Sequence, residues 1–339
     1  MLQLRNRSRF AATLLPLPDA AGLDSLFVVV KGTFTLGARP APVQNQVPVC
    51  LRDEYLGNPG QSSVTQPSDV SLAKPATDVL LRGHAYAPGG QPASRVPVAL
   101  VVGSIRKRAE VFGDRVWEGG LVSARASAPK PFERVPLLWE RSFGGASLSD
   151  GQLGTVEAEE RNPVGAGFRG RKTAQPIEGT RLPNVEDPQN LMTSPRDRPA
   201  PVGFGPIAPH WQPRRSYAGT YDERWQRERA PFLPKDFDPR FLQVAPPDQT
   251  VPGYLKGGEE IHISGVTPLG SLASTVPGVR IQILFRLDET NQARAASLDT
   301  LMIEPDEGRM VLVWRAVLTA DKRILRVREV EVSAKGEEA

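Results

Sequence analysis

Apolar positions along this chain come in short bursts broken by proline and glycine, with a period of two or none, and rarely at helical spacing. The strongest burst is residues 26–34, where Val28-Val29-Val30 runs on into Lys31-Gly32-Thr33-Phe34 before Gly37 and Pro40 stop it. An unbroken apolar run of that kind predicts a strand covered on both faces. Residues 79–85 and 96–102 are predicted as strands joined into a hairpin by Pro88-Gly89-Gly90. Residues 104–117 read as another hairpin with Gly113-Asp114 at its turn, and Arg134 to Arg141 as one more strand. Strands resume at 260–265 and 279–285, then in a hairpin over 298–318 around Pro305-Asp306-Glu307-Gly308. The last, 324–332, alternates apolar and charged residues as a half-exposed edge strand would.

Between these strand-rich parts the periodicity fades. Residues 150–198 are polar and poor in rings, which predicts mobility. Residues 199–254 are the opposite, with eleven prolines and nine aromatics against 33 and 22 in the whole chain. Disordered segments lack rings because they have no core in which to bury them, and proline lowers the ordering entropy of a loop that holds one shape. This stretch is therefore expected to be an ordered, irregular slab lying on a β scaffold. Within it, Thr220-Tyr221-Asp222-Glu223 reads as a capping box with Thr220 at the cap, starting a short helix that Pro231 ends. Asp238-Pro239 opens a second turn through Phe241 and Leu242.

The fold class that follows is mainly β: a large sandwich or distorted-barrel assembly with a long insertion rich in proline, glycine and aromatics and carrying a short helix. The parts are a strand-rich segment 1–143, an irregular insertion 144–258, a second strand-rich segment 259–332, and a tail 333–339 expected to be disordered. With 40% hydrophobic and 24% charged residues the composition is globular. The net charge of +4 is scattered arginine with no basic block, so neither nucleic acid nor a membrane surface is an expected partner. The N-terminus lacks the pattern of a secretory signal and no run approaches a membrane span, which points to a cytoplasmic protein. A lone Cys50, in the apolar run Val47 to Leu51, excludes an internal disulfide and is expected to behave as a small buried hydrophobe.

Candidate chemistry is sparse. His84, His210 and His262 are too dispersed to form a metal site, and no phosphate-binding glycine loop or nucleophile elbow is present. The acidic pairs Glu159-Glu160 and Glu186-Asp187 are the remaining candidates for catalysis, as a carbohydrate hydrolase, if two carboxylates face one cleft. A glycan- or nucleic-acid-binding β module is a further alternative. The expectation is a non-enzymatic protein with no cofactor and no metal. Interface hot spots are rich in tryptophan, tyrosine and arginine. The slab gathers Trp211, Arg214, Arg215, Tyr217, Tyr221 and Trp225, followed by Phe237, Arg240 and Phe241, and these are the candidate partner-binding residues.

Ordered short motifs then carry a resemblance. Asp53-Glu54-Tyr55-Leu56-Gly57, Gly83-His84-Ala85, Phe112-Gly113-Asp114-Arg115, Leu138-Trp139-Glu140-Arg141 into Phe143-Gly144-Gly145, Asn162-Pro163-Val164-Gly165, Leu182-Pro183-Asn184, Gly203-Phe204-Gly205-Pro206, Gly219-Thr220-Tyr221-Asp222 and Phe237-Asp238-Pro239-Arg240-Phe241 follow in sequence. In this order they resemble a bacterial family, once labelled only as a domain of unknown function, whose members are encoded beside type VI secretion effectors. The resemblance implies an adaptor or chaperone that binds a secreted toxin effector and promotes its loading onto the spike, through VgrG or a PAAR-repeat protein.

Overall fold

The computed structural model describes residues 2–120, 123–148, 156–171, 173, 175–288 and 290–336. The chain is mainly β, with 41% strand against 10% helix, arranged in several sheets without a closed barrel. Three sheets organise it. Sheet I has six strands in the order Thr250–Val251, Thr77–Leu81, Ser297–Glu304, Arg309–Thr319, Asp24–Thr35 and Ala11–Pro18. Sheet II has five: Val185–Glu186, Ile105–Phe112, Arg95–Val102, Glu260–Ser264 and Ser271–Thr275. Sheet III has four: Gln3–Asn6, Val327–Lys335, Arg280–Leu287 and Asn291–Ala295. Each sheet takes strands from both strand-rich parts of the sequence, and one buried cluster joins Val28 and Val30 of sheet I, Leu100 and Val111 of sheet II, and Ile283 and Val330 of sheet III. No helix among the described residues is long and apolar enough to cross a membrane.

The centre of sheet I is where the sequence signal is strongest. The Ser297–Glu304/Arg309–Thr319 hairpin turns through Pro305–Glu307 and closes at Gly308, whose φ of 60° is left-handed. Asp24–Thr35 lies against its second strand, from Thr35 opposite Arg309 to Ser25 opposite Thr319. Gly32 interrupts that apolar strand for a packing reason. The rings of Phe10, Phe34 and Trp314 converge over it, and a Cβ would meet each of them at 3.0 Å. Their centroids lie 5.4 to 6.3 Å apart, close enough for each ring pair to contribute about 0.5–1.5 kcal/mol beyond burial.

The opposite face of sheet I is also covered, and there it carries charge. Lys31 pairs with Asp69, Lys74 with Asp78 and Arg315 with Asp299, at 2.8, 2.8 and 2.7 Å, all of them buried. These pairs fasten two straps onto the sheet. The first, residues 69–74, is held by Lys31 and by Arg315, which donates to the Ser71 and Asp69 carbonyls. The second, residues 243–245, is held by Asp78, which accepts from the Gln243 side chain and from the Val244 and Ala245 amides.

Several elements depart from their sequence pattern. The strand expected over 79–85 is two, Thr77–Leu81 and His84–Tyr86, split at Arg82-Gly83, and neither pairs with Arg95–Val102. That strand instead forms a hairpin with Ile105–Phe112 through the two-residue turn Gly103-Ser104. Gly113 is not a turn residue. It lies so close to Lys130 that a Cβ would overlap the Lys130 carbonyl. Arg134–Pro136 ends early, and a 3-10 turn covers Trp139–Arg141. The last strand, Val327–Lys335, is interior, flanked by parallel Gln3–Asn6 and antiparallel Arg280–Leu287. Its alternation records one wet face, where Arg286 reaches Glu329 and Glu331, and says nothing about whether its edges are paired. Residues 333–335 of the expected tail belong to this strand, while 337–339 lie outside the described residues. Of the span expected to be mobile, 150–155, 172 and 174 lie outside the described residues; Val185–Glu186 joins sheet II. Cys50 is half-buried, its thiol donating to the Arg52 carbonyl at 2.9 Å.

Candidate partner-binding cleft

The slab is ordered because its rings are divided between an anchor and a projecting knob. Trp211 is the anchor. It is fully buried edge-on to Trp139 at 6.0 Å, with Val64, Ile207 and Ala208 around them. The Trp139 indole donates to the Pro206 carbonyl at 2.9 Å, and Gly203 is a glycine because a Cβ would sit 2.5 Å from the Trp139 ring. Trp211 is therefore removed from the candidate contact residues: a ring with 0% exposure is cement between slab and scaffold. Arg214 is also buried, at 9% exposure, and does not offer a simple surface charge. Arg215, one residue on, is exposed.

The knob runs from Tyr217 to Phe241. Its helix, Glu223–Glu228, is capped by Asp222, whose carboxylate takes the Trp225 amide at 2.7 Å. Thr220 is not the cap. Its amide and hydroxyl both bond Asp236, at 3.0 and 2.7 Å, which closes the base of the knob and holds that carboxyl below its ordinary value. Tyr221, 53% exposed, stacks edge-on to Trp225 at 4.7 Å. The Trp225 indole donates to the Phe232 carbonyl, and Phe232 packs over Gly22, so the knob leans on the loop between Ala11–Pro18 and Asp24–Thr35 of sheet I. Arg229 fixes the same contact through the Ala20 carbonyl at 3.0 Å. The turn Pro239–Leu242 is capped by Asp238 as its sequence predicts; Arg240 pairs with Asp238 and lies 4.3 Å from the Tyr217 ring centre, while Phe237 and Phe241 stack at 5.8 Å.

Between the knob and sheet I opens a cleft of about 510 Å³. One wall is Phe232, Phe237 and Phe241 from the slab; the other is Leu17 on the sheet I edge with Val70 and Leu72 from the first strap. All six are only half-buried. Polar groups gather at Asp53, Lys74 and Arg214. Asp53 is engaged by the Ser68 amide at 2.7 Å and Lys74 by Asp78. Arg214 donates Nε to the Phe241 carbonyl at 3.1 Å and Nη1 to the Ile207 carbonyl at 2.5 Å, with the Phe241 ring 5.2 Å from its Cζ. Burial lowers its pKa, and the charges of Asp53, Asp78 and Tyr55 oppose that without touching it.

The cleft thus gathers Arg214, Phe237 and Phe241 from the candidates. Tyr217, Tyr221, Trp225 and Arg240 sit on the knob, Arg215 lies just before it, and none of the five lines the cleft. The sequence reading missed Leu17, Asp53, Val70, Leu72, Lys74 and Phe232 as site residues; the available signals were Asp53 at the head of its motif, Phe232 in the ring-rich slab and the Lys74/Asp78 spacing of four.

One carboxylate of each acidic pair considered for catalysis is held in an ion pair away from the cleft. Glu186 is buried on Arg115, with burial raising its pKa against that partner, and it also accepts the Met192 amide at 2.7 Å. Glu159 pairs with Arg161 at 2.6 Å. His84 Nδ1 lies 2.7 Å from Asp306, which also accepts from the Tyr86 hydroxyl, and His210 sits edge-on to Trp211. No group of three or more potential metal ligands is found among the described residues.

A family model described as an uncharacterized protein conserved in bacteria (DUF2169) matches residues 21–315. No curated protein and no solved structure matches the chain.

Proposed function

Since the chain belongs to that bacterial family, conserved but uncharacterized, we propose that it is a non-enzymatic adaptor which holds a segment of a partner protein in the cleft between knob and sheet I. The observation that carries this reading is the cleft itself. It has half-buried apolar walls and a few polar groups, on straps pinned by buried ion pairs, which is the preorganised form that loses least entropy on binding. The finer reading is that the partner is a secreted toxin effector and that the complex is delivered to the VgrG or PAAR-repeat spike of a type VI secretion system. It is supported by the ordered motifs from Asp53 to Phe241, not by the cleft.

The test is co-expression with the product of the effector gene beside its own, followed by purification and a secretion assay. Val70→Trp fills the cleft from a half-buried position, so it is expected to leave the melting temperature in place and to abolish the complex. A complex that survives Val70→Trp would move the binding surface elsewhere. Failure of every neighbouring effector to bind the wild-type chain would sink the adaptor reading.

A further inference from the structure

Six cationic side chains are nine-tenths or more buried among the described residues: Lys31, Lys74, Lys107, Arg115, Arg214 and Arg315. Five are neutralised in place. Lys31 has Asp69, Lys74 has Asp78, Lys107 has Asp248, Arg115 has Glu186 and Arg315 has Asp299. Arg214 has no carboxylate within ion-pair distance among the described residues. Among the described residues its bonds are to two neutral carbonyls, and its Nη2, which is not sealed from solvent, has no hydrogen-bond partner. Two of the six, Lys74 and Arg214, line the cleft with the phenylalanine wall, and Lys74 is already paired with Asp78. A buried cation without a counter-ion is unfavourable, and a guanidinium edge matches the paired oxygens of a carboxylate or a phosphate, of which the carboxylate is the one an unmodified peptide carries.

Resting on the reading of the cleft as the partner site, we infer that its occupant is a peptide segment of the partner in which one aspartate or glutamate, flanked by apolar side chains, sets its carboxylate on Arg214. The flanking side chains fill the space between Phe232, Phe237 and Phe241 on one wall and Leu17, Val70 and Leu72 on the other. Asp53 and Asp19, also at the cleft, set the selectivity: they repel a segment with several acidic residues, so a single carboxylate among apolar neighbours is the pattern that fits.

The experiment is selection of a displayed random heptapeptide library on the full chain, in parallel on wild type, Arg214→Gln, Leu72→Glu and Val70→Trp. Wild type is expected to enrich peptides with one acidic residue between apolar ones. Arg214→Gln is expected to keep the apolar preference and lose the acidic one, and Leu72→Glu to lose the same peptides because it supplies a carboxylate from within. Leu72→Glu keeps the inference testable if loss of the Arg214 bonds to Ile207 and Phe241 prevents folding, which a thermal melt reports. The most enriched peptide is then compared with its glutamate-to-glutamine form by fluorescence anisotropy, with at least about tenfold weaker binding expected. Selection of apolar peptides without acidic enrichment, or equal binding of the glutamine form, overturns the carboxylate and leaves the cleft as the site. Peptides that bind Val70→Trp as well as wild type, or no enrichment on wild type, overturn the cleft reading and the inference together.

Discussion

Asp78 is the residue on which the cleft's construction turns, and its removal is the sharpest perturbation available. It is fully buried in sheet I, pairs with Lys74 at 2.8 Å, and accepts from the Gln243 side chain at 2.7 Å and from the Val244 and Ala245 amides at 2.9 and 3.2 Å. Asp78→Ala leaves the Lys74 ammonium buried with the Thr300 hydroxyl as its remaining partner. Breaking a buried pair from one side destabilises by about 3–5 kcal/mol. The two strap amides add less than the roughly 1–3 kcal/mol of a sealed orphan, because the strap can lift and let water reach them. We therefore expect a loss of about 4 kcal/mol, a large part of the roughly 5–15 kcal/mol that holds a typical domain together. Urea titration monitored by tryptophan fluorescence reads it. A cycle with Lys74→Met supplies the control: with the cation gone, Asp78→Ala should cost at least about 2 kcal/mol less than it does alone. A loss below about 1 kcal/mol, or a cycle without coupling, would refute the claim that this pair fastens the second strap.

Gly113→Ala is expected to destabilise by about 2–3 kcal/mol through its clash with the Lys130 carbonyl, while Gly278→Ala, with open space at its Cβ, stays within about 0.5 kcal/mol in the same melts. The carboxyls of Asp236 and Asp238 are held below the ordinary 3.8 by hydrogen bonds from Thr220 and Arg240, so their stabilisation is present above that value and is lost as pH falls through the lower folded values. Acid titration should therefore loosen the knob, seen in Trp225 fluorescence, and Asp236→Asn should shrink the pH-dependent part; a knob signal flat down to about pH 2 contradicts this. Burial lowers the Lys107 pKa and Asp248 restores it only in part, so the native state sheds this proton before the unfolded chain and stability should rise with pH up to about the ordinary 10.5. Lys107→Met is expected to flatten that rise and to cost less than about 1 kcal/mol near neutral pH, since an apolar side chain of similar size escapes the desolvation penalty; an undiminished rise in the variant would refute it.

How far the fold was legible depended on whether a segment's periodicity is set by the face it covers. The 297–319 hairpin and Asp24–Thr35 could be read because their side chains are fully committed to a core and their turn requires the Pro305 and Gly308 chemistry. Pairing was less legible. Arg95–Val102 and its true partner, Ile105–Phe112, are joined by Gly103-Ser104, a turn as plain as Pro88-Gly89-Gly90, and nothing local distinguishes a glycine that turns from one like Gly113 that lets two backbones approach. The parallel contact of Thr77–Leu81 with Ser297–Glu304 joins residues more than two hundred positions apart, and such contacts leave no local trace.

The cleft was half legible for a related reason. Ring and proline density announces an ordered slab, but density does not say which ring faces inward. Trp211 and Tyr221 are ten positions apart in the same slab, yet one is sealed against Trp139 and the other stands 53% exposed. The two adjacent arginines diverge in the same way. Arg215 goes to solvent, whereas Arg214 turns under the slab because the Ile207 and Phe241 carbonyls are there to receive it. Those carbonyls are made available by irregular backbone, which binary patterning does not encode. On the opposite wall Val70 and Leu72 are apolar without period because their strap is pinned by the charges of Lys31 and Arg315 and not by an amphipathic face of its own. A cleft assembled from straps is therefore visible in sequence only through its pinning charges, and Arg214, which has no ion-pair partner among the described residues, is the one lining charge that no such pin accounts for.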